Sequence, residues 1–313
     1  MPFDLSNKLV IAVASSALFN LSESDQVFRS TDLAGYRAFQ RENERKTLDP
    51  GVAFPLVKRL LRISAAAPLK DAVEVILLSR NDCDTGLRVF HSIKDHKLRI
   101  TRAAFVDGRD PWKYCGAFSS SLFLSANEQD VRSALAAGKS AGMVLPSTYK
   151  DEEEDGEELR LAFDFDGVIG DDSAESIYAE EGLEAFHASQ AADASIPMPP
   201  GPLQQFFRHV SELQQRELAY QKENRAYKAK IRSSIVTARD APSHERVVTT
   251  LRNWGVSADE VFFLGGIDKR PFLRELKPHI FFDDQLQHLR PVSGDIPCVH
   301  VPFGVRNPAG GDG

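Results

Sequence analysis

Residues 161–168 read Leu161-Ala162-Phe163-Asp164-Phe165-Asp166-Gly167-Val168. An apolar run closing on Asp-x-Asp is predicted to be a strand that carries two carboxylates to one face, because strand side chains two apart share a side. At the carboxyl end of a parallel strand they meet the crevice in which open α/β sheets bind ligands. Two like charges so close are unfavourable unless a cation or a proton lies between them. Mg²⁺ suits that place, since it takes oxygen ligands and commonly joins carboxylates to a substrate phosphate.

Further apolar, β-branched runs surround this one: Leu9–Val13, Val73–Leu78, Ile100–Val106, Leu122–Leu124, Ser234–Val236, Val261–Leu264, Ile280–Phe282 and Val299–Val301. Helix-like patterns such as Glu128–Ala137 and Glu245–Trp254 lie between them. Strands alternating with helices predict a parallel α/β architecture, and continuous apolar character suits strands covered on both faces. From about Asp172 to Lys230 the pattern changes. A helix-like stretch (Ala174–Gln190), the run Pro197-Met198-Pro199-Pro200-Gly201-Pro202 and a second amphipathic stretch (Leu203–Lys230) follow one another. Phe206, Phe207, Val210 and Leu213 recur at helical spacing in the last of these. The whole is expected to be a helical insertion between two strands.

Composition narrows the classes. The chain has 313 residues with 42% hydrophobic character, room for one large domain or two ordinary ones with a proper core. No stretch approaches the ~20 apolar residues of a membrane span, and Met1-Pro2-Phe3-Asp4 is not the start of a secretory signal. Cys83, Cys115 and Cys298 form no CxxC pair, so reduced thiols and a cytoplasmic setting are expected. The net charge of −7 comes from one block, Asp151-Glu152-Glu153-Glu154-Asp155-Gly156-Glu157-Glu158, outside which acids and bases balance. That block is expected to be a solvated linker. The rest carries no basic stripe of the kind a nucleic-acid surface needs. Neither a membrane nor a nucleic acid is an expected partner, and a homo-oligomer is compatible with the sequence.

A faint repeat underlies the strand pattern. Moving residues 77–127 by 158 positions lays them on 235–285 without a gap. Leu77-Leu78-Ser79 falls on Ile235-Val236-Thr237, Arg88-Val89 on Arg246-Val247, and Leu122-Phe123-Leu124 on Ile280-Phe281-Phe282. An offset of 150 places Ile11–Ser16 on Leu161–Asp166. Any two α/β halves share strand spacing, but three strand positions, a turn and an Arg-Val pair in one register favour a duplication.

Three more polar groups close later strands. Thr237 ends Ser234-Ile235-Val236-Thr237 and can donate a hydrogen bond to a phosphate oxygen. Lys269 follows Gly265-Gly266-Ile267-Asp268 and can neutralise one. Asp283-Asp284 ends Phe281-Phe282 and can complete a metal site. Singly, Thr237 could be a helix cap, Lys269 a surface lysine and Asp283 or Asp284 a turn residue. Four such pieces in order, each after an apolar strand, predict a metal–phosphate site.

In these motifs the chain resembles the haloacid dehalogenase-like superfamily: Asp164-x-Asp166, Thr237, Lys269 and Asp283-Asp284 match its four motifs in order, and the helical insertion resembles its cap of the first type. Over almost the whole chain it is similar to the cytosolic type I 5′-nucleotidases. The similarity is carried by Ile11–Phe19, Leu78-Ser79-Arg80-Asn81, Asp84–Val89, Leu122–Asn127, Val236-Thr237-Ala238-Arg239 and Pro278–Asp284. One departure is Asp164-Phe165-Asp166-Gly167-Val168, where animal members carry Asp-Gly-Asp-Ala-Val; both carboxylates are retained.

The resemblance implies a Rossmannoid parallel sheet and hydrolysis of a nucleoside 5′-monophosphate through an aspartyl phosphate. Asp164 would be the nucleophile and Asp166 the acid and base, with Thr237 and Lys269 on the phosphoryl group. Asp164, Asp283 and the backbone carbonyl of Asp166 would hold Mg²⁺, with Asp284 ligating or buttressing it. Another small phosphate ester, or nucleotide binding without turnover, are the alternatives. Under the repeat, Asp164 falls on Ala14, Asp166 on Ser16, Thr237 on Ser79, Lys269 on Pro111, Asp283 on Ser125 and Asp284 on Ala126. Residues 1–150 are therefore expected to be a pseudo-catalytic lobe that is purely structural or, through Ser79, Arg80 and Asn81, shapes the nucleoside pocket or holds a regulatory nucleotide. An acidic linker (151–158), a catalytic domain (159–306, cap about 172–230) and a frayed tail (307–313) follow. Phe186 and Tyr178 are expected in the cap core more than against a base.

Overall fold

The computed structural model describes residues 3–151 and 156–308. Ten strands form one sheet: β1 (Leu9–Val13), β2 (Val73–Ser79), β3 (Arg102–Phe105), β4 (Leu122–Ser125), β5 (Ala141–Val144), β6 (Leu159–Phe163), β7 (Ile231–Thr237), β8 (Glu260–Phe263), β9 (Ile280–Asp283) and β10 (Cys298–His300). Their order is β3-β2-β1-β4-β5-β10-β9-β6-β7-β8. Every pairing is parallel except β5–β10, which is antiparallel with Val144 opposite Val299. Nine strands fall on the apolar runs read from sequence. The tenth, β5, is Ala-Gly-Met-Val and has weak strand propensity; it went unpredicted.

That antiparallel joint decides the geometry of the molecule. The first five strands and the last five share one internal order (β3-β2-β1-β4-β5 and β8-β7-β6-β9-β10), set head to head at β5 and β10. The equivalence reaches single hydrogen bonds: Ala14 N–H donates to Leu124 O at 2.8 Å, as Asp164 N–H does to Phe282 O at 2.8 Å. Because the joint is antiparallel, the carboxyl ends of the two strand sets open on opposite edges of the sheet. The two lobes expected from sequence are thus two halves of one continuous sheet.

In each half the first strand runs into a helical excursion closed by a short antiparallel bridge, Phe19 to Pro50 and Gly170 to Pro200. Ser22–Ser30 and Leu33–Glu42 lie inside the first, Ser173–Ala192 inside the second. The insertion expected over 172–230 therefore divides. Gln204–Glu223 is not part of the excursion but covers the sheet, burying Phe206, Phe207, Val210 and Leu213. Phe207 meets Phe163 edge to face at 5.3 Å, and Phe163 stacks on Phe282 at 5.1 Å; each such pair contributes about 1 kcal/mol beyond its buried area. The same helical period serves a cap or a sheet cover, so sequence alone did not separate them.

Gly201 lets the bridge close: a Cβ there would stand 2.2 Å from Gly170 O. Gly201→Ala is expected to lower the unfolding free energy by about 3 kcal/mol, read from the urea midpoint; an unmoved midpoint would show that the bridge yields freely.

The acidic block is only partly a linker. The Asp151 carboxylate pairs with the buried Arg59 guanidinium, whose Nε donates to Glu158 O at 3.0 Å; residues 152–155 of the block, and 309–313 of the expected frayed tail, lie outside the described residues. Cys115 and Cys298 are buried, Cys83 is exposed, and all are free. No helix among the described residues is long and apolar enough to cross a membrane.

Candidate active site

The three strand ends flagged by sequence converge at one edge, because β9, β6 and β7 are consecutive in the sheet. Asp164 follows β6, Asp283 ends β9 and Thr237 ends β7; they are 4%, 0% and 1% exposed. Lys269 immediately precedes the helix Arg270–Leu276 and lies between two of them. Its Nζ donates to Asp283 Oδ2 at 2.7 Å and stands 2.7 Å from Asp164 Oδ2. The other oxygens are also engaged: Asp164 Oδ1 accepts from Phe165 N–H at 2.7 Å, and Asp283 Oδ1 from Gln285 N–H at 2.8 Å.

Asp284 is drawn into the cluster by the turn after β6. Gly167 adopts φ +69°, and a Cβ there would stand 2.9 Å from the Asp284 carboxyl. The Gly of Asp-x-Asp-Gly thus serves both a left-handed backbone and a close approach. Asp284 is 3% exposed and its Oδ1 has no hydrogen-bond partner.

Electrostatics follow from this burial. Burial pushes the Asp284 carboxyl up to about 9, helped by the nearby Asp283 and Asp164 charges. Burial likewise pushes Asp164 up to about 7, against the pull of Lys269. Burial alone would raise Asp283, but Lys269 and His288 outweigh it and hold Asp283 below its ordinary value. Burial opposes the charge on Lys269, yet the two carboxylates keep its ammonium above the usual lysine range.

Three residues had escaped assignment. His288 Nδ1 lies 3.1 Å from Asp283 Oδ2, and Asp164, Asp283 and His288 bring ligand atoms within 4.8 Å of one another. Arg239 grips Asp166 through Nε at 2.7 Å and Nη2 at 2.6 Å. Gln190, fully buried on Ser173–Ala192, accepts from Arg239 Nη1 at 2.9 Å. For Arg239 the sequence signals were its place two residues beyond Thr237 and its membership of Val236-Thr237-Ala238-Arg239, one of the stretches that carry the family similarity.

Ser79, Arg80 and Asn81 do not join this cluster. They close β2, whose carboxyl end opens on the opposite edge of the sheet. The Ser79 hydroxyl is 2.9 Å from that of Ser15, and Arg80 is held by Asp130 at 2.6 Å and Asp110 at 3.0 Å. These three residues therefore cannot help shape a pocket around Asp164. Tyr178 is half-exposed on the excursion, against the buried Phe186 with ring centres 6.2 Å apart.

A divalent cation fits the residues present. Four carboxylates (Asp164, Asp166, Asp283, Asp284) gather against two cations, Lys269 and Arg239, and one buried carboxyl oxygen lacks any partner. A hard ion with oxygen ligands answers both the charge excess and the orphaned atom.

An acidic pair, a buried lysine and a hydroxyl thus meet at the carboxyl edge of a parallel sheet, where oxygen-rich anions and a hard cation can be held together. The 5′-nucleotidase family model matches residues 1–308, and the chain belongs to that family. It is 34% identical over 289 residues to human cytosolic 5′-nucleotidase 1B, covering 90% of this chain and 47% of the relative. The chain thus spans about half the length of the curated relative it matches. No solved structure matches it.

Proposed function

We propose that the chain is a Mg²⁺-dependent phosphomonoesterase that hydrolyses nucleoside 5′-monophosphates through an aspartyl phosphate. The observation that carries this reading is Lys269 held 2.7 Å from both Asp164 and Asp283 in a buried, carboxylate-rich site. Asp164 attacks phosphorus and the P–O5′ bond breaks, Asp166 giving its proton to the departing oxygen. Water then attacks the acyl phosphate and gives a proton back to Asp166; inorganic phosphate leaves and the Asp164 carboxylate is restored. Thr237 and Lys269 orient and neutralise the phosphoryl oxygens. Asp164, Asp283, Asp284 and the Asp166 carbonyl would hold Mg²⁺, which neutralises phosphate charge that would otherwise repel Asp164.

The first half supports this reading by what it lacks. At its own carboxyl edge Ala14, Ser16, Ser79 and Ser125 stand where the second half has Asp164, Asp166, Thr237 and Asp283, so residues 1–150 are a pseudo-catalytic half built on the same strand order. The segment 173–192 is the cap, smaller than the sequence suggested.

A panel of nucleoside 5′-monophosphates, sugar phosphates and other small phosphate esters, assayed for phosphate release with Mg²⁺ and with EDTA, tests the proposal. Metal-dependent release from nucleoside monophosphates above the other esters is expected. Preference for another ester would retain the chemistry and replace the substrate; binding without release from any would refute turnover.

A further inference from the structure

Arg239 is buried to an extent that needs explaining, with its side chain 2% exposed. Both Asp166 oxygens accept from it, Gln190 Oε1 accepts from its Nη1, and Ser243 O lies 3.3 Å from the same nitrogen. Its guanidinium stands 5.6 Å from the Phe165 ring centre and 5.4 Å from that of Phe186. Phe165 belongs to the turn after β6, whereas Phe186 and Gln190 belong to the excursion helix that follows the kink at Gly182 within Ser173–Ala192. Arg239 therefore joins that helix to Asp166.

The first half separates the structural part of this arrangement from the rest. There Gln40, on the excursion helix Leu33–Glu42, lies 3.5 Å from Arg88 Nη1; in the second half Gln190 lies 3.2 Å from Arg246 Nη1. The two pairs stand at the offsets of 150 and 158 that relate the halves. A buried Gln–Arg tie thus holds the excursion in both halves, including the one without a catalytic acid. Arg239 is a second donor on Gln190 and has no counterpart: Asn81 occupies its place in the first half, and Ser16 that of Asp166. The additional arginine occurs only where Asp166 does.

We propose that Arg239 is the positioning residue of Asp166, and that Gln190 makes the placement of the acid depend on the seating of the excursion helix. A planar guanidinium fork fixes both the place and the plane of a carboxylate, which a single ammonium cannot do. The proposal rests on the reading of Asp166 as proton donor given above.

The test compares kcat/KM for a nucleoside 5′-monophosphate with that for the same nucleotide carrying sulfur in place of the bridging 5′ oxygen. A thiolate leaves without a proton, whereas an alkoxide needs one. Arg239→Met is expected to lower kcat/KM by about 100-fold with the oxygen ester and by less than about threefold with the sulfur ester. Arg239→Lys should fall between wild type and Arg239→Met on the oxygen ester. Arg246→Met, which loosens the seat of Gln190 without touching Asp166, should lower the melting temperature and shift the ratio of the two substrates in the same direction as Arg239→Met but by less. Equal losses on both esters for Arg239→Met would overturn the proposal. Should that variant fail to fold, Gln190→Leu and Arg239→Lys decide: a shifted ratio supports it and an unshifted one overturns it. Asp166→Asn serves as reference. If its ratio is unshifted, the acid assignment falls and this inference with it; if its ratio shifts and that of Arg239→Met does not, Arg239 alone is misassigned.

Discussion

Asp164→Asn is expected to abolish phosphate release from nucleoside 5′-monophosphates, by about 10⁴-fold or more, while leaving the protein folded. The side chain keeps its size and its acceptor for the Phe165 N–H, so the turn after β6 has no reason to move. What is lost is the oxygen proposed to attack, since an amide carries no charge to deliver to phosphorus. The fold should tolerate the change because burial already raises the Asp164 carboxyl to about 7, so a neutral group there relieves a desolvated charge. Lys269 keeps its bond to Asp283 at 2.7 Å. Phosphate release and a thermal melt on the same preparation check both halves of the expectation. Turnover retained in a folded variant would remove Asp164 as nucleophile.

The positions that gather around Lys269 were legible because each is a local pattern: an apolar run followed by a polar residue whose side the strand period fixes. The joint between the halves was not, since Ala141–Val144 contains a glycine and a methionine and only one β-branched residue. Without β5 the relative direction of the halves could not be read. For that reason the sequence could not show that Ser79, Arg80 and Asn81 stand at the edge opposite Asp164, away from any pocket around it. The repeat register was read from strand-end positions, and the two sets of five strands follow the same order with matching bonds at Ala14 and Asp164. Arg239 and Gln190 lie 49 residues apart, and no period within one element relates them; only the seating of Ser173–Ala192 brings them together. The extent of the cap failed for a different reason. The apolar face of Gln204–Glu223 records that something covers it, not whether that is a sheet or a neighbouring helix.

Lys269→Met should produce the second large effect, on stability as well as rate. Wild-type Lys269 is 3% exposed and bridges two carboxylates that are themselves almost wholly buried. Methionine fills nearly the same volume, so packing is preserved and the change is chiefly one of charge. Asp164 and Asp283 then face each other without their shared cation, and Asp284 adds a third carboxyl nearby. Removing one partner from a buried ion pair costs about 3–5 kcal/mol, which for a chain of 313 residues is a fall of about 5–8 °C in melting temperature. The rate should drop by about 10³-fold, since the cation proposed to neutralise the phosphoryl oxygens is lost. Melting in EDTA and in millimolar Mg²⁺ separates this account from simple loss of packing. A divalent cation that binds only the folded state stabilises it in proportion to its affinity, and the variant offers one more uncompensated negative charge. Mg²⁺ should therefore raise the melting temperature of Lys269→Met by more than that of the wild type. If the variant melts with the wild type in EDTA, Asp164 and Asp283 do not depend on Lys269 for their burial. If it melts lower but gains no more from Mg²⁺ than the wild type does, the missing lysine is a packing loss and the carboxylate cluster is not a cation site.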